Sequence, residues 1–79
     1  MNAVAYKQYH IGIRVSLGED GRFTVIGEIR RNESDPKPLT TFLSSQRFAS
    51  IDVAYKAGIM RGQKWVDEQV KRAIDKEAQ

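Results

Sequence analysis

One long amphipathic segment near the C-terminus constrains the fold of this chain more than any other feature. Between Ser50 and Lys76, apolar and small residues recur at spacings of three and four, which places them on one side of an α-helix. Ser50 is a favourable N-cap, and Asp52 lies in the first turn, where the helix dipole favours a negative charge. We therefore predict a helix over 51–76, roughly 40 Å long. Its buried face comprises Ile51, Ala54, Tyr55, Gly58, Gly62, Trp65, Val66, Gln69, Val70 and Ala73.

A stripe of small residues runs along the middle of that face, because Ala54, Gly58 and Gly62 are four residues apart. Each glycine inside a helix costs about 1 kcal/mol relative to alanine. Close packing of the helix on a sheet would offset this cost, and a close helix–helix crossing in a dimer is the alternative. We expect leucine at either glycine to destabilise the fold, and alanine to stabilise it only where space allows. Trp65 is expected to be largely buried between helix and sheet.

Residues 8–17 and 22–31 alternate apolar and polar side chains, which predicts two strands with one apolar face each. A three-residue turn with Gly21 in the left-handed conformation would join them and pair Leu17 with Phe23. The apolar faces of the two strands then coincide, which supports this register. The other predicted pairs on that face are Val15 with Val25, Ile13 with Gly27, and Ile11 with Ile29.

The remaining segments complete the predicted order. Residues 1–7 carry no strong pattern and are expected to be flexible, and residues 39–43 predict a short third strand after a polar loop with two prolines. Gly27 leaves a gap in the apolar face, which the glycines of the helix would approach. The β-β-β-α order predicts an α+β fold: a three-stranded antiparallel sheet covered on one face by one long C-terminal helix.

Length, composition and charge limit the functional classes. The 79 residues predict a single domain, 1–79, and so short a chain gains stability most simply by dimerisation. It has no cysteine, which excludes disulfides and thiolate metal sites and fits a reducing compartment, so we expect a cytoplasmic protein. No secretory or membrane-spanning pattern is present, so no membrane partner is expected. The net charge of +3 permits a nucleic-acid partner without requiring one.

Catalytic chemistry has little support in the sequence. The single histidine, His10, lies on a predicted strand, and no Cys–His or Ser–His–Asp set can be assembled around it. No spacing predicts a metal site, and Gly18 to Gly21 lacks the Lys-Ser/Thr of a phosphate-binding loop. We predict a protein that is not an enzyme, without a cofactor or a small-molecule substrate.

The sheet face away from the helix is the candidate functional surface. The predicted alternation places Arg14, Arg22, Ile26 and Arg30 on it, with His10, Thr24 and Glu28, and with Phe42 or Thr40 nearby. Three interpretations are open: a solvated face, a self-association surface, or a surface for nucleic-acid phosphates. The leading hypothesis is a small interaction module that forms a homodimer, and the alternative is a nucleic-acid-binding module.

Several short motifs carry a resemblance to known proteins. They are Tyr9 to Ile13, Asp20 to Phe23, Phe48 to Ser50 followed by Ala54 and Gly58, and Trp65 to Asp67. Together they resemble a group of short bacterial proteins of uncharacterised function that share a strand–DG turn–strand–strand–helix layout. The layout is also similar to that of HicB-type antitoxins, partial ribonuclease-H-like domains that inhibit a toxin. That resemblance implies an antitoxin-type partner protein as a third candidate function.

Overall fold

The computed structural model describes the backbone of residues 2–77 and the side chains of residues 3–75; Met1, Ala78 and Gln79 lie outside it. Its elements are β1 (Asn2–Tyr6), β2 (Tyr9–Leu17), β3 (Phe23–Arg30), β4 (Thr40–Leu43) and α1 (Ile51–Glu77). The strands form one antiparallel sheet in the order β1-β2-β3-β4, and α1 covers one face. The predicted α+β architecture with one C-terminal helix is confirmed, but the sheet has four strands, not three.

The additional strand is β1, in the segment 1–7 that we expected to be flexible. β1 pairs with β2 as far as Tyr6 and Tyr9, and the two residues between them form the turn. Lys7 and Gln8 both have positive φ, 47° and 70°, as a type I′ hairpin turn requires. This turn usually contains Asn-Gly or Asp-Gly, so Lys-Gln gives no recognisable turn signal. The hairpin was therefore missed in the sequence.

The hairpin between β2 and β3 has the predicted register. Leu17 pairs with Phe23, and Gly21 has a φ of 79°, so it takes the left-handed conformation. The Gly18 N–H donates to the carbonyl of Arg22 at 2.8 Å and closes the turn. The other predicted pairs are also present: Val15 with Val25, Ile13 with Gly27, and Ile11 with Ile29.

The core lies between the helix and the two central strands. Its buried apolar residues are Ile11, Ile13, Val25, Ile29, Ala54 and Val66. The helix glycines allow this packing, since a Cβ at Gly58 would lie 2.6 Å from Val25 Cγ1 and one at Gly62 would lie 2.7 Å from Ile11 Cγ2. The glycine stripe is therefore occupied by the sheet, as the close-packing interpretation requires, and is closed to a helix of another chain.

Phe42 corrects two expectations about the sheet. It pairs with Gly27, and a Cβ at Gly27 would overlap the Phe42 ring. The gap at Gly27 is therefore filled by an aromatic side chain and not by the helix glycines. Arg61 of α1 lies over the same ring, 4.9 Å from its centroid, so Phe42 is on the helix side of the sheet. Thr40, two residues away in β4, shares that side, so neither residue belongs to the sheet face away from the helix.

A polar contact ties β1 to the helix. The Asp67 carboxylate accepts hydrogen bonds from Lys7 Nζ at 2.7 Å and from the Tyr6 hydroxyl at 2.9 Å. The hydrogen bond from Lys7, followed by that from Tyr6, holds the pKa of Asp67 below its usual value of 3.8. The bond to Asp67 likewise raises the pKa of Lys7 above 10.5. The pair is half-exposed, so we expect a small contribution to stability.

This contact predicts an acid-dependent loss of stability. The pKa of Asp67 is lower in the folded chain than in the unfolded one, so its contribution is present above pH 3.8 and is lost as the pH falls through the folded pKa. We expect Asp67→Asn to lower the free energy of unfolding at pH 7. The difference between variant and wild type should shrink as the pH falls below 3.8 towards 2, as measured by urea unfolding at each pH. A difference that is constant over this range would contradict the assigned contact.

Candidate interaction surfaces

The sheet face away from α1 contains the residues that the sequence placed there. Arg14 pairs with Ile26 and His10 pairs with Arg30, so these side chains lie on neighbouring strands of one face. Arg22 lies one residue before β3, and alternation places it at the end of the same face. We call this surface the open face. Its strands and Arg22 carry three arginines and Glu28, and Glu33 of the following loop lines a cleft on the same face with His10 and Arg30, which leaves a surplus of one positive charge.

The three arginines of the open face differ in their partners. Arg30 Nη1 lies 2.6 Å from Glu28 Oε2, and Arg30 Nε donates to the Asp35 carbonyl at 2.9 Å. Arg14 and Arg22 are exposed, and no carboxylate of residues 3–75 lies within ion-pair distance of either. The charge of Arg30 is therefore largely neutralised within the face, whereas Arg14 and Arg22 present theirs to solvent.

The two edges of the sheet differ in protection. β4 has four residues, follows Pro36 and Pro38, and its Leu43 carbonyl accepts a hydrogen bond from Arg61 at 2.9 Å. β1 contains no charged residue and no proline, the usual devices that keep an edge strand from pairing with another chain. β1 is thus the unprotected edge.

The hairpin turn decides which backbone groups of β1 are free. In a two-residue hairpin the closing pair, Tyr6 and Tyr9, is hydrogen-bonded, and hydrogen-bonded pairs alternate along an antiparallel ladder. Val4 therefore bonds inward to β2. The N–H and C=O groups of Ala3 and Ala5 point away from the sheet and are available to an added strand.

An apolar surface lies beside this edge on the helix side. Val4 of β1 and Tyr55, Lys56, Ile59 and Met60 of α1 line a cleft, and Met60 is 69% exposed. We call the apolar side chains Val4, Tyr55, Ile59 and Met60 the β1 patch.

Further exposed apolar side chains of the helix follow the same line. Val53, Met60 and Ile74 are separated by multiples of seven residues, so they share a helix stripe, and each is more than half exposed. Asp67 belongs to that stripe and contacts Lys7 and Tyr6, which shows that the stripe runs along the β1 side of α1. The spacing of seven residues is visible in the sequence, but it marks a surface beside a sheet edge only because β1 is a strand.

Groups suited to metal binding are not brought together in the described part of the chain. Among residues 3–75, no three histidine or acidic side chains cluster as a metal site would require. The carboxyls with a lowered pKa belong to surface contacts: Asp67 with Lys7 and Tyr6, and Asp20 with Arg47 and the Arg22 N–H. Within residues 2–77, α1 is too polar to cross a membrane.

Comparison with known proteins adds no assignment. No protein-family model, no curated protein and no solved structure shows significant similarity to this chain. The resemblance to HicB-type antitoxins therefore stays a prediction from the sequence motifs.

Proposed function

We propose that this protein is a small interaction module that forms a homodimer through β1 and the β1 patch. One observation carries the proposal: an uncharged edge strand, with the backbone groups of Ala3 and Ala5 free, lies beside an exposed apolar surface. A strand added to such an edge gains main-chain hydrogen bonds, and neighbouring side chains supply specificity. The opposite edge, β4, is shorter, and Arg61 already occupies its Leu43 carbonyl.

A two-fold axis at Val4 gives a geometrically consistent dimer. Two antiparallel β1 strands centred there place Ala3 opposite Ala5 of the second copy, so their outward groups form four hydrogen bonds. Val4 then lies opposite its own copy in a non-hydrogen-bonded pair, where side chains approach most closely. Because Val4 is on the helix side, the β1 patches of the two copies meet on one face of a continuous eight-stranded sheet.

Charge favours this surface over the open face for self-association. A two-fold interface brings the same surface patch of both copies together. On the open face it would bring two patches that each carry the unpaired Arg14 and Arg22 against one another, and like charges that face each other cost free energy. At β1 the strand is uncharged and Lys7 at its end is already bonded to Asp67, while Lys56 of α1 borders the cleft beside Val4. The added buried surface also stabilises a chain too short for a large core.

Proline at position 5 tests the proposal. Ala5→Pro removes an outward N–H but no bond to β2, and edge strands tolerate such prolines. Each dimer loses two hydrogen bonds of about 1 kcal/mol each, so we expect the dimer Kd to rise about 30-fold. Sedimentation equilibrium over a range of concentrations measures this value.

Two further variants complete the experiment. Ala5→Ser keeps the N–H and a small side chain, so it should dimerise like the wild type. Met60→Lys places two like charges in the joined patches and should weaken the dimer without touching the backbone bonds. Circular dichroism shows whether each variant is folded. Wild-type protein that stays monomeric at high concentration, or folded Ala5→Pro and Met60→Lys with unchanged Kd, would contradict the proposal.

A further inference from the structure

We infer that the open face binds the phosphate backbone of a nucleic-acid duplex, with Arg14 and Arg22 as its phosphate ligands. This activity goes beyond dimerisation and uses the opposite side of the sheet from the β1 patch. Arg14 and Arg22 hold two positive charges with no carboxylate within ion-pair distance among residues 3–75, whereas Glu28 and Glu33 lie beside Arg30. This part of the face therefore presents unpaired positive charge, which complements a polyanion.

The free arginines define the contact. Arg14 and Arg22 are exposed and without a carboxylate partner among residues 3–75, so binding a phosphate breaks no ion pair. Arg22 continues the strand beyond the Leu17–Phe23 pair, roughly four residues along the sheet from Arg14, or about 14 Å. The two guanidinium groups therefore reach separate phosphates. Arg30 is not a main phosphate ligand in this assignment, because its Nη1 forms an ion pair with Glu28 Oε2 at 2.6 Å.

The side chains between the arginines indicate the kind of contact. Ser16 pairs with Thr24 on the open face, and their hydroxyls are groups that commonly contact phosphate oxygens. The other pairs of β2 and β3 on this face are His10 with Arg30, Gly12 with Glu28 and Arg14 with Ile26. Asparagine and glutamine, which read adenine, are missing from the described strands of this face, and the arginines that could read guanine are assigned here to phosphates. On that assignment we expect binding that does not depend on base sequence.

The same face favours a duplex over a single strand. Proteins that hold single strands stack the bases on aromatic side chains. Within the described strands, the aromatic residues of the sheet, such as Tyr9, Phe23 and Phe42, lie on the helix side. In its described strands the open face offers Ile26, the exposed Leu43 and the imidazole of His10, but no tyrosine, phenylalanine or tryptophan ring on which a base could stack.

Binding titrations with three labelled probes of equal length test the inference: a DNA duplex, an RNA duplex and single-stranded DNA. Fluorescence anisotropy between about 20 and about 150 mM salt should give a log–log slope of about −2 for each bound chain. The DNA and RNA duplexes both present backbone phosphates. Similar affinities for the two indicate contact with the backbone alone. Tighter binding of one duplex identifies it as the natural partner. Tighter binding of the single strand would overturn the assignment to a duplex.

Matched charge variants identify the face. Arg14→Ala with Arg22→Ala should weaken binding at least 10-fold at low salt and flatten the slope by about 2 for each chain. Lys64→Ala with Arg72→Ala removes the same charge from exposed positions on α1 and should change affinity less than about 2-fold. Equal losses in both pairs, or no binding to either duplex at the lowest salt, would overturn the inference.

The inference is separable from dimerisation. The Ala5→Pro variant keeps Arg14 and Arg22, so as a monomer it should still bind with a slope of about −2. A dimer that binds no duplex overturns the open-face inference alone, and a monomer that binds with this slope supports it even if the dimer proposal fails.

Discussion

Replacing Gly62 by leucine is expected to unfold most of the protein. A Cβ at this position would lie 2.7 Å from Ile11 Cγ2, and Ile11 is fully buried at the centre of the core. The three further carbons of leucine have no space, so the helix must move off the sheet. Overpacking by even a few methylenes costs about 1–3 kcal/mol or more, while a chain this small has a net stability of only about 3–5 kcal/mol. Thermal unfolding followed by circular dichroism measures the loss.

Alanine and a surface leucine serve as controls for Gly62→Leu. Gly62→Ala gains about 1 kcal/mol of helix propensity, but its methyl group would still press on Ile11, so we expect a net loss. Because the structure leaves no free space at Gly62, alanine at this position should not stabilise the protein. Lys64→Leu adds the same side chain at an exposed helix position and should leave the melting temperature almost unchanged. Wild-type melting of Gly62→Leu would contradict the close contact between helix and sheet.

Trp65→Ala is expected to lower the free energy of unfolding by about 3 kcal/mol. The Trp65 and Tyr9 rings meet edge to face with centroids 6.0 Å apart, which joins the middle of the helix to β2. Trp65 packs against the core but keeps part of its surface exposed, so the loss should lie at the low end for a tryptophan. Chemical denaturation followed by circular dichroism gives the value.

Trp65→Phe and the intrinsic fluorescence provide independent checks. Phenylalanine keeps an aromatic edge against Tyr9 and should cost about 1 kcal/mol. The wild-type emission maximum should lie between those of a buried and a water-exposed indole. Trp65→Ala with wild-type stability, or emission typical of full exposure, would show that the contact with Tyr9 contributes nothing.

The parts of the fold that were predictable from the sequence rest on strong local signals. The register of β2 and β3 follows from two alternating segments joined by a turn that ends in Gly21, because slipping by one residue would move every apolar side chain to the other face. The helix start follows from Ser50, whose Oγ accepts a hydrogen bond from the Val53 N–H at 3.2 Å.

Other features required tertiary information. The turn at Lys7 and Gln8 has the conformation of a type I′ turn without its usual residues, so β1 was missed, and with it the unprotected edge and the β1 patch. β4 follows a long loop with two prolines that does not specify its register, so the side on which Phe42 lies was undetermined. The Glu28–Arg30 pair was predictable in principle, since residues two apart in a strand share a face.

A single cysteine at Val4 measures the central claim most directly, because the chain has none of its own. Non-hydrogen-bonded pairs in antiparallel strands have Cα atoms about 4.5 Å apart, which is within the range that a disulfide spans. On oxidation at low concentration, Val4→Cys should form a linked dimer of about 18 kDa, twice the 9.0 kDa of one chain. Thr41→Cys, exposed on β4 at the opposite edge, should not. A Val4→Cys protein that stays folded and monomeric under conditions that oxidise free thiols would contradict dimerisation through β1.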